Sequence, residues 1–521
     1  MPPQARFAAG GVVTAVGEMR SVLSGSTFDV AVIGGGLTGA AVARDAAGRG
    51  LSVFLCEQGD LASGGSSATS KLAHGALDLM QSFQLGAMRE AAAERAVLMR
   101  TAPHLVRPRR FFIPRHVRQW PALFTRLGLF AYDHAARDGL PPASVVDLRQ
   151  EPGSVALHPH FETAFAYSDC VADDSRLAVL NAVDARTRGA TIETRLRCTI
   201  AERDGGRWRL SLECVRTGER PVVFARILVN AGGAAAGEVL NHTVHARHHV
   251  RVRTTRAAHI VVRRAGRPDT AFALPAPDGQ VVFAVPYEGD TLLLGPVRGG
   301  HRGDPNAAAV EPGEAAYLMD VASQYFQAPV HPDDIVWAFA AVTALPDDGL
   351  ALRQGRAVLV DAPANLAPLV SVFGGSLTTY RPLAELAVDR MGKFRTLPPA
   401  WTGKEPLPGG AFPPEDFDAL TRTLRVAYPF LADAHAERLA RTYGTRASAI
   451  LVGARQASDL GRRYGADLTE AEVTFLAQTE WAESAEDILW RRSKLGLSFS
   501  AAEAAALDRH LAGADATLAL A

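Results

Sequence analysis

The chain has 521 residues, too many for one hydrophobic core, so two or three domains are expected. Lysine plus arginine and aspartate plus glutamate both number 55, which excludes the basic footprint of a nucleic-acid binder. At 48% hydrophobic and 21% charged, the composition is that of an ordinary folded chain with a polar surface.

Cys56, Cys170, Cys198 and Cys214 show neither CxxC pairing nor ligand-like spacing. Reduced core thiols in a cytoplasmic protein are expected from them, and no structural zinc site. No apolar run approaches the roughly 20 residues that span a bilayer. Residues 7–17 are apolar but glycine-rich, with Arg6 the one basic residue ahead of them and no clear cleavage site behind. Residues 1–27 therefore read as an N-terminal extension rather than a signal peptide.

Residues 28–33 (FDVAVI) form an apolar run short enough to be a buried strand of a parallel sheet. Gly34, Gly36 and Gly39 follow at GxGxxG spacing, then a small-residue helix over 37–48, then a second apolar run at 51–55 leading to Glu57. This order is that of a dinucleotide clamp. Gly34 permits the tight turn, Gly36 lets a pyrophosphate reach the backbone, and Gly39 lets helix and strand close together. The phosphates would sit on the positive helix end, where Leu37 and Thr38 lie, among unpaired N–H groups. Glu57, with Gln58 beside it, would accept hydrogen bonds from an adenosine ribose.

The loop at 58–75 is rich in Gly, Ser and Thr and offers many backbone and hydroxyl groups, as a polar cofactor ring requires. A plain surface loop is the alternative. A helix is expected over 87–99, with Pro103, Pro108 and Pro114 ending its pattern. Residues 177–188 read as a helix and 190–194 as a strand, while 208–214 alternate like a surface hairpin strand. A buried strand over 225–230 returns to the turn Ala231-Gly232-Gly233. From about 240 to 345, short alternating runs broken by Gly, Pro and Asp predict an antiparallel sheet over the cofactor. Strands at 357–361 and 369–373 follow, the second ending in Gly374-Gly375-Ser376-Leu377-Thr378-Thr379. That second glycine turn is another place to hold a polarised oxygen by backbone N–H groups. Beyond about 405 the chain reads as a charged helical domain in which nothing suggests catalysis.

Several segments carry a resemblance: VIGGGLTGAAVARDAAGRGLSVFLCEQGDLASG, SSATSKLAHG, APHLVRPRRFFIP, GLFAYDH, AYSDCVADDSRL and LVNAGG. HIVV, DDIVW, SVFGGSLTTYR, YPFL, RTYG and LWRRSK continue it, in order, from about residue 28 to about 497. The chain resembles the FAD-dependent glycerol-3-phosphate dehydrogenases of the D-amino-acid-oxidase-like flavoprotein superfamily. The resemblance implies an α/β fold in which a Rossmann-like FAD-binding domain (28–110, 155–235 and 345–400) is interleaved with an antiparallel-sheet substrate domain (111–154 and 236–344). A C-terminal helical domain would span 401–521. It also implies FAD contacts at Ser66, Ser67, Ser70, Lys71, Leu72, Gly232, Gly374, Gly375, Ser376, Leu377 and Thr378. His74 matches the histidine that the family places beside the flavin as a base, with simple hydrogen bonding to the cofactor as the alternative. His259 matches a family histidine too, but its apolar strand favours packing or pocket lining.

The departures are concentrated in the substrate site. Where the family reads HGGLRY, this chain has Asp78 and Leu79 for the arginine and tyrosine. The arginine of GVRPL is Thr343, and the lysine of FGGKLTTYR is Ser376. The aspartate of a TTD segment is Arg298, and the lysine of KGSHIVV is Arg256. A phosphate dianion needs several Arg or Lys partners to offset its desolvation, and Asp78 would repel it. Arg353 or Arg356 is a candidate replacement for one lost contact, and Arg298 and Arg256 are others.

The expectation is a FAD-dependent oxidoreductase moving a hydride from a CH–OH or CH–NH carbon to flavin N5. Its small-molecule substrate would lack a phosphate and belong to a specialised biosynthetic pathway. A true glycerol-3-phosphate dehydrogenase, giving dihydroxyacetone phosphate with quinone as acceptor, is the alternative, and a non-catalytic flavin-binding protein is a third. Oxygen, a quinone and a soluble carrier all stay open as electron acceptor, as does oligomeric state, a homodimer included. The family associates peripherally with membranes, but no clear basic amphipathic helix carries that property here.

Overall fold

The computed structural model describes residues 23–74, 85–115, 139–151, 156–245, 250–264, 270–347, 349, 351 and 355–518. Asp78, Leu79 and Arg353 lie outside these, as do the segment at 128–134 and nearly all of the expected N-terminal extension.

The principal elements begin with β1 (Thr27–Ile33), α1 (Leu37–Gly48), β2 (Val53–Cys56), β3 (Leu72–Ala73), α2 (Leu85–Thr101), β4 (Val106–Pro114) and β5 (Ser144–Asp147). Next come β6 (Thr163–Ala172), α3 (Asp174–Thr187), β7 (Thr191–Glu193), β8 (Leu196–Asp204), β9 (Arg207–Cys214) and β10 (Val222–Asn230). The antiparallel run holds β11 (Val252–Arg263), β12 (Ala271–Pro275), β13 (Val281–Pro286), β14 (Thr291–Gly300), α4 (Pro312–Tyr325) and β15 (Ile335–Pro346). Then β16 (Arg356–Asp361), β17 (Leu369–Gly374) and α5 (Tyr380–Met391) return to the first sheet. A helical unit closes the chain, with α6 (Phe417–Ala427), α7 (Asp433–Tyr443), α8 (Glu470–Glu480) and α9 (Ala501–Leu518). It also holds a small hairpin, Arg463–Gly465 with Leu468–Thr469, which the helical pattern of the sequence conceals.

Val30, Ala31 and Val32 expose no surface, because β1 has a parallel strand on each side and helices on its face. The first sheet runs β16-β17-β10-β1-β2-β7, with β9 and β8 attached through β10. Ile33 stands opposite both Cys56 and Asn230, so β1, β2 and β10 end at one level. The turns that follow, at Gly34, Glu57 and Ala231, open into one crevice at the carboxyl ends of the strands. Buried Ala40, Ala43, Ala46 and Ala47 let α1 lie close to α3 and α5.

The second sheet runs β15-β11-β14-β13-β12-β4-β6-β3, with β5 on β6. One face buries Ala258, Ile260, Phe272, Leu274 and Leu294 against Leu318 and Val321 of α4. Each such large apolar side chain contributes roughly 1.5–3 kcal/mol by leaving water. Its other alternation carries Phe111, Tyr167, Phe283, Val261 and Phe339. β3, β4 and β6 belong to this sheet, although they fall in stretches whose sequence suggests the nucleotide-binding domain. Alternation reveals a strand's two faces and leaves its sheet unspecified.

The four cysteines are free and buried, and burial pushes the Cys198 thiol up to about 12. Among the described residues no helix is long and apolar enough to cross a membrane, and no cluster of side chains has the makings of a metal site.

Candidate cofactor and substrate site

The first glycine turn is built by contact. Gly34 has φ +112°, and a Cβ there would lie 2.4 Å from the Ala231 carbonyl oxygen. A Cβ on Gly39 would lie 2.0 Å from the Gly34 carbonyl oxygen. Neither position admits another residue without moving backbone. Gly36 is the N-cap of α1 and brings no side chain to the helix end, where the Leu37 N–H donates to Ser66 Oγ at 2.8 Å. The cofactor loop thus meets the helix N-terminus at a hydroxyl, and Thr38 lies in the first helical turn.

The Glu57 carboxylate accepts from the Gly35 N–H at 2.6 Å and the Gly59 N–H at 2.8 Å. Burial raises its pKa, and these two N–H groups pull it back. A carboxylate has about four lone-pair sites, so acceptor capacity is left for a ribose.

A cavity of about 1050 Å³ opens between these parts. Gly34, Gly36, Glu57, Gln58, Ser66, Ser67 and Gly232 line it, joined by Arg197, Cys198, His242, Ala341 and Val342. Its size reaches the top of the usual range for small-molecule sites. Bare backbone at a helix N-terminus, a buried acceptor and close-packed glycines suit a dinucleotide such as FAD.

Beyond Ser67 the loop is pinned by charge. Lys71, at φ +57°, donates through Nζ to the Ser67 carbonyl and to Asp174 Oδ2, the latter at 2.7 Å. Thr69 donates to the same carboxylate oxygen from its N–H at 3.1 Å and its hydroxyl at 2.7 Å. Burial brings Lys71 down to about 8 despite Asp174. Ser70 Oγ is hydrogen-bonded to His259 Nε2 at 2.9 Å, and the His259 ring stacks on Phe339. Burial, with Lys71 and Arg298 nearby, pushes His259 down to about 3 and keeps it neutral. Leu72 is buried in β3, which pairs with β6. His74 follows β3, half-buried, its ring centroid 5.8 Å from that of Phe283.

The second glycine turn approaches from the far side. Gly374 and Gly375 have φ +69° and +96°, and a Cβ on Gly375 would come within 3.9 Å of Thr38 Oγ1. The two turns therefore face each other across the start of α1. Leu377 and Thr378 are buried, and the Ser376 hydroxyl bonds to those of Thr378 and Thr379 at 3.2 and 3.1 Å.

Of the five described substrate-pocket candidates, Ser376 lies on this second turn and the other four divide. Thr343 and His259 stand in register with Thr255 and Phe339 on the paired strands β11 and β15. Arg298 lies on the exposed end of β14, near enough to His259 to influence it. Arg256 is turned elsewhere: it pairs with Glu311 at 2.7 Å and Glu314 at 2.8 Å, at the start of α4. That is the helix-covered side, shared with Ala258 and Ile260, and the structure does not bring Arg256 to the site. Arg356 donates to Glu90 of α2.

The sequence reading missed the contribution of the C-terminal unit. Glu486, Trp490 and Arg491 line the same cavity, opposite Trp337 and Phe339 of β15. Asp60, three residues past Glu57, is held by Arg491 at 2.6 Å and by Arg492 at 2.7 and 2.8 Å. The paired arginines in LWRRSK are the signal: two adjacent buried cations require a buried acid.

The family described as FAD dependent oxidoreductase matches residues 29–390, and the C-terminal domain of alpha-glycerophosphate oxidase matches 400–518. Glycerol-3-phosphate dehydrogenase from Pseudomonas aeruginosa is 43% identical over 489 residues, covering 93% of this chain and 95% of that protein. D-erythritol 1-phosphate dehydrogenase from Brucella abortus is 39% identical over 487 residues, covering 92% and 97%. Among solved structures, glycerol-3-phosphate dehydrogenase from Bacillus halodurans complexed with FAD shares the fold with a TM-score of 0.75 at 21% identity, covering 96% of this chain and 97% of that one.

Proposed function

The chain belongs to the FAD-dependent oxidoreductase family, of the glycerol-3-phosphate dehydrogenase type, and on that premise we propose that it oxidises an unphosphorylated alcohol or amine. FAD, when bound, supplies a two-electron acceptor for a hydride. The protein does the rest. The Gly36 N–H and the hydroxyl of Ser66, which already takes up the Leu37 N–H, would hold phosphate oxygens, and Glu57 would accept from the ribose. His74 takes the proton of the substrate hydroxyl or amine as the adjacent carbon gives up its hydrogen with both electrons, so that a C=O or C=N bond forms.

The commitment of Arg256 carries the substrate reading. Two carboxylates already neutralise it, on the side of the sheet away from Ser70 and His259. Arg356 is likewise engaged, by Glu90. With Thr343 and Ser376 neutral and Asp78 acidic in the sequence, Arg298 is the cation beside His259 among the described substrate-pocket candidates, and one cation does not stabilise a buried dianion. The second reading, a phosphopolyol as substrate, is favoured by the names of the relatives from P. aeruginosa and B. abortus.

Anaerobic addition of glycerol 3-phosphate or D-erythritol 1-phosphate to the yellow protein separates the two. No bleaching of the flavin, with dithionite as control, is expected. Rapid bleaching by either phosphate ester would sink the unphosphorylated-substrate reading. Asp78→Arg with Ser376→Lys is expected to create a response to the esters. With any donor that does bleach the protein, His74→Asn should keep the flavin and slow reduction by about 10²–10⁴-fold. An unchanged rate would remove His74 as the base.

A further inference from the structure

The C-terminal helical unit carries no feature of catalysis, yet three of its residues face the cofactor cavity. Trp490 lies in a π-helical turn, Asp487–Arg492, whose position is fixed from several directions. Its indole packs on Trp337 with ring centroids 4.6 Å apart and 33° between planes. Trp337 leans on Phe339 at 4.5 Å, and Phe339 stacks on His259 at 5.0 Å. The row ends at Ser70, inside the cofactor loop, through the 2.9 Å hydrogen bond between Ser70 and His259. From behind, Gly496 leaves room for the ring, since a Cβ there would come within 2.4 Å of Trp490 Cε2.

The neighbouring arginines tie the same turn to the nucleotide loop. Arg491 spans Asp60, Glu486 and Asp487, each at 2.6 Å, and Arg492 adds a bidentate grip on Asp60. Asp60 and Arg492 expose almost nothing. Breaking such a buried pair from one side leaves an uncompensated charge, so the two units are locked at this point.

We propose that Trp490 is a FAD-binding residue and that the Asp60–Arg491–Arg492 cluster positions it, making the C-terminal unit a determinant of cofactor retention. Where it lines the cavity, between Trp337 and Gly496, the indole offers an apolar contact to a ring system of FAD. The inference rests on the FAD dependence of the family and is independent of which substrate is oxidised.

Flavin release from the purified holoprotein, followed by the rise of free-flavin fluorescence on dilution, tests it together with the FAD Kd from back-titration. Trp490→Ala is expected to weaken FAD at least tenfold, and Trp490→Phe by less, because a ring remains. Asp60→Asn should also weaken FAD through the displaced turn, with recovery in Asp60→Glu. Leu489→Ala is the control, since Leu489 is buried in the core of the same unit and does not line the cavity. It is expected to lower Tm without changing the FAD Kd. Wild-type affinity in Trp490→Ala would overturn the assignment. So would an equal loss of FAD in Leu489→Ala and Trp490→Ala, which would reduce the effect to general loosening of the unit. ADP as competitor assigns the ring: loss of ADP affinity in Trp490→Ala places the indole at adenine, and unchanged ADP affinity with weakened FAD places it at the flavin.

Discussion

The nucleotide end and the substrate end of this site are built from different materials. At the first, backbone does the binding: Gly34, Gly36 and Gly39 are present because carbonyl oxygens leave no room for a Cβ or because a helix end must stay bare. At the second, the candidates are side chains, on strands β11, β14 and β15, whose backbone pairing is indifferent to what they carry, and on the turn after β17. A backbone site tolerates almost no substitution and keeps one ligand. A side-chain site can exchange Arg for Thr343, or Lys for Ser376, without disturbing the fold. Specificity can therefore change at one end while the cofactor stays the same at the other.

The harshest way to break this contrast is Gly39→Ala. One methyl group driven into the Gly34 carbonyl should separate α1 from β1 and abolish FAD retention, seen as colourless protein after gel filtration. A yellow variant with normal affinity would mean that the turn is not made by close packing. Glu57→Gln is gentler. It removes the charge that two N–H groups share and leaves one oxygen for both, so FAD should bind about 10–100-fold more weakly, from roughly 1.5–3 kcal/mol for a charge-assisted bond. Direct titration measures it, and an effect below threefold would make the acid dispensable.

The smallest effect concerns the substrate end. His259 is held neutral down to about 3, against 6.5 in an unfolded chain. The unfolded state therefore gains a proton first, and stability falls as the pH drops from 6.5 toward 3. The contribution is about 1.4 kcal/mol per pH unit within that window. His104, also pushed down to about 3 by burial, adds a second slope of the same sign. His259→Gln keeps a partner for Ser70 and should remove the His259 slope in urea unfolding at pH 7.5, 6 and 5, leaving those of His104 and His435. An unaltered pH dependence would mean that His259 titrates normally in the folded protein.

The nucleotide half is legible in the sequence for the same reason that it is rigid. A GxGxxG turn, a helix of alanines and a strand ending before Glu57 are local features within about thirty residues, and the helix over 37–48 forms with those bounds. The second glycine turn and the antiparallel run from 252 to 346 are legible as well, from strand alternation between breakers. What escapes is non-local. Pro108 and Pro114 signal the end of a helix, and the segment between them becomes β4, which pairs with β12 only at Phe111 and Phe112. Arg256 reads as a substrate cation until Glu311 and Glu314, more than fifty residues on, draw it to the other face. Trp490 and Arg491 belong to a helical pattern with no chemistry of its own, and only their approach to Asp60 and Trp337 gives them a part.

The grip of Arg491 and Arg492 on Asp60 also sets an order for biosynthesis. Translation delivers residues 27–60 early, but β1 must wait for β10 and β10 for β17, and the acid at position 60 waits longest for its cations. A chain still on the ribosome with those strands made but residue 491 not yet added would have Lys71 on Asp174 and Arg195 near Asp60, without the closer grip of Arg491 and Arg492. The buried lock on the nucleotide loop therefore closes only once residues 491 and 492 have been made.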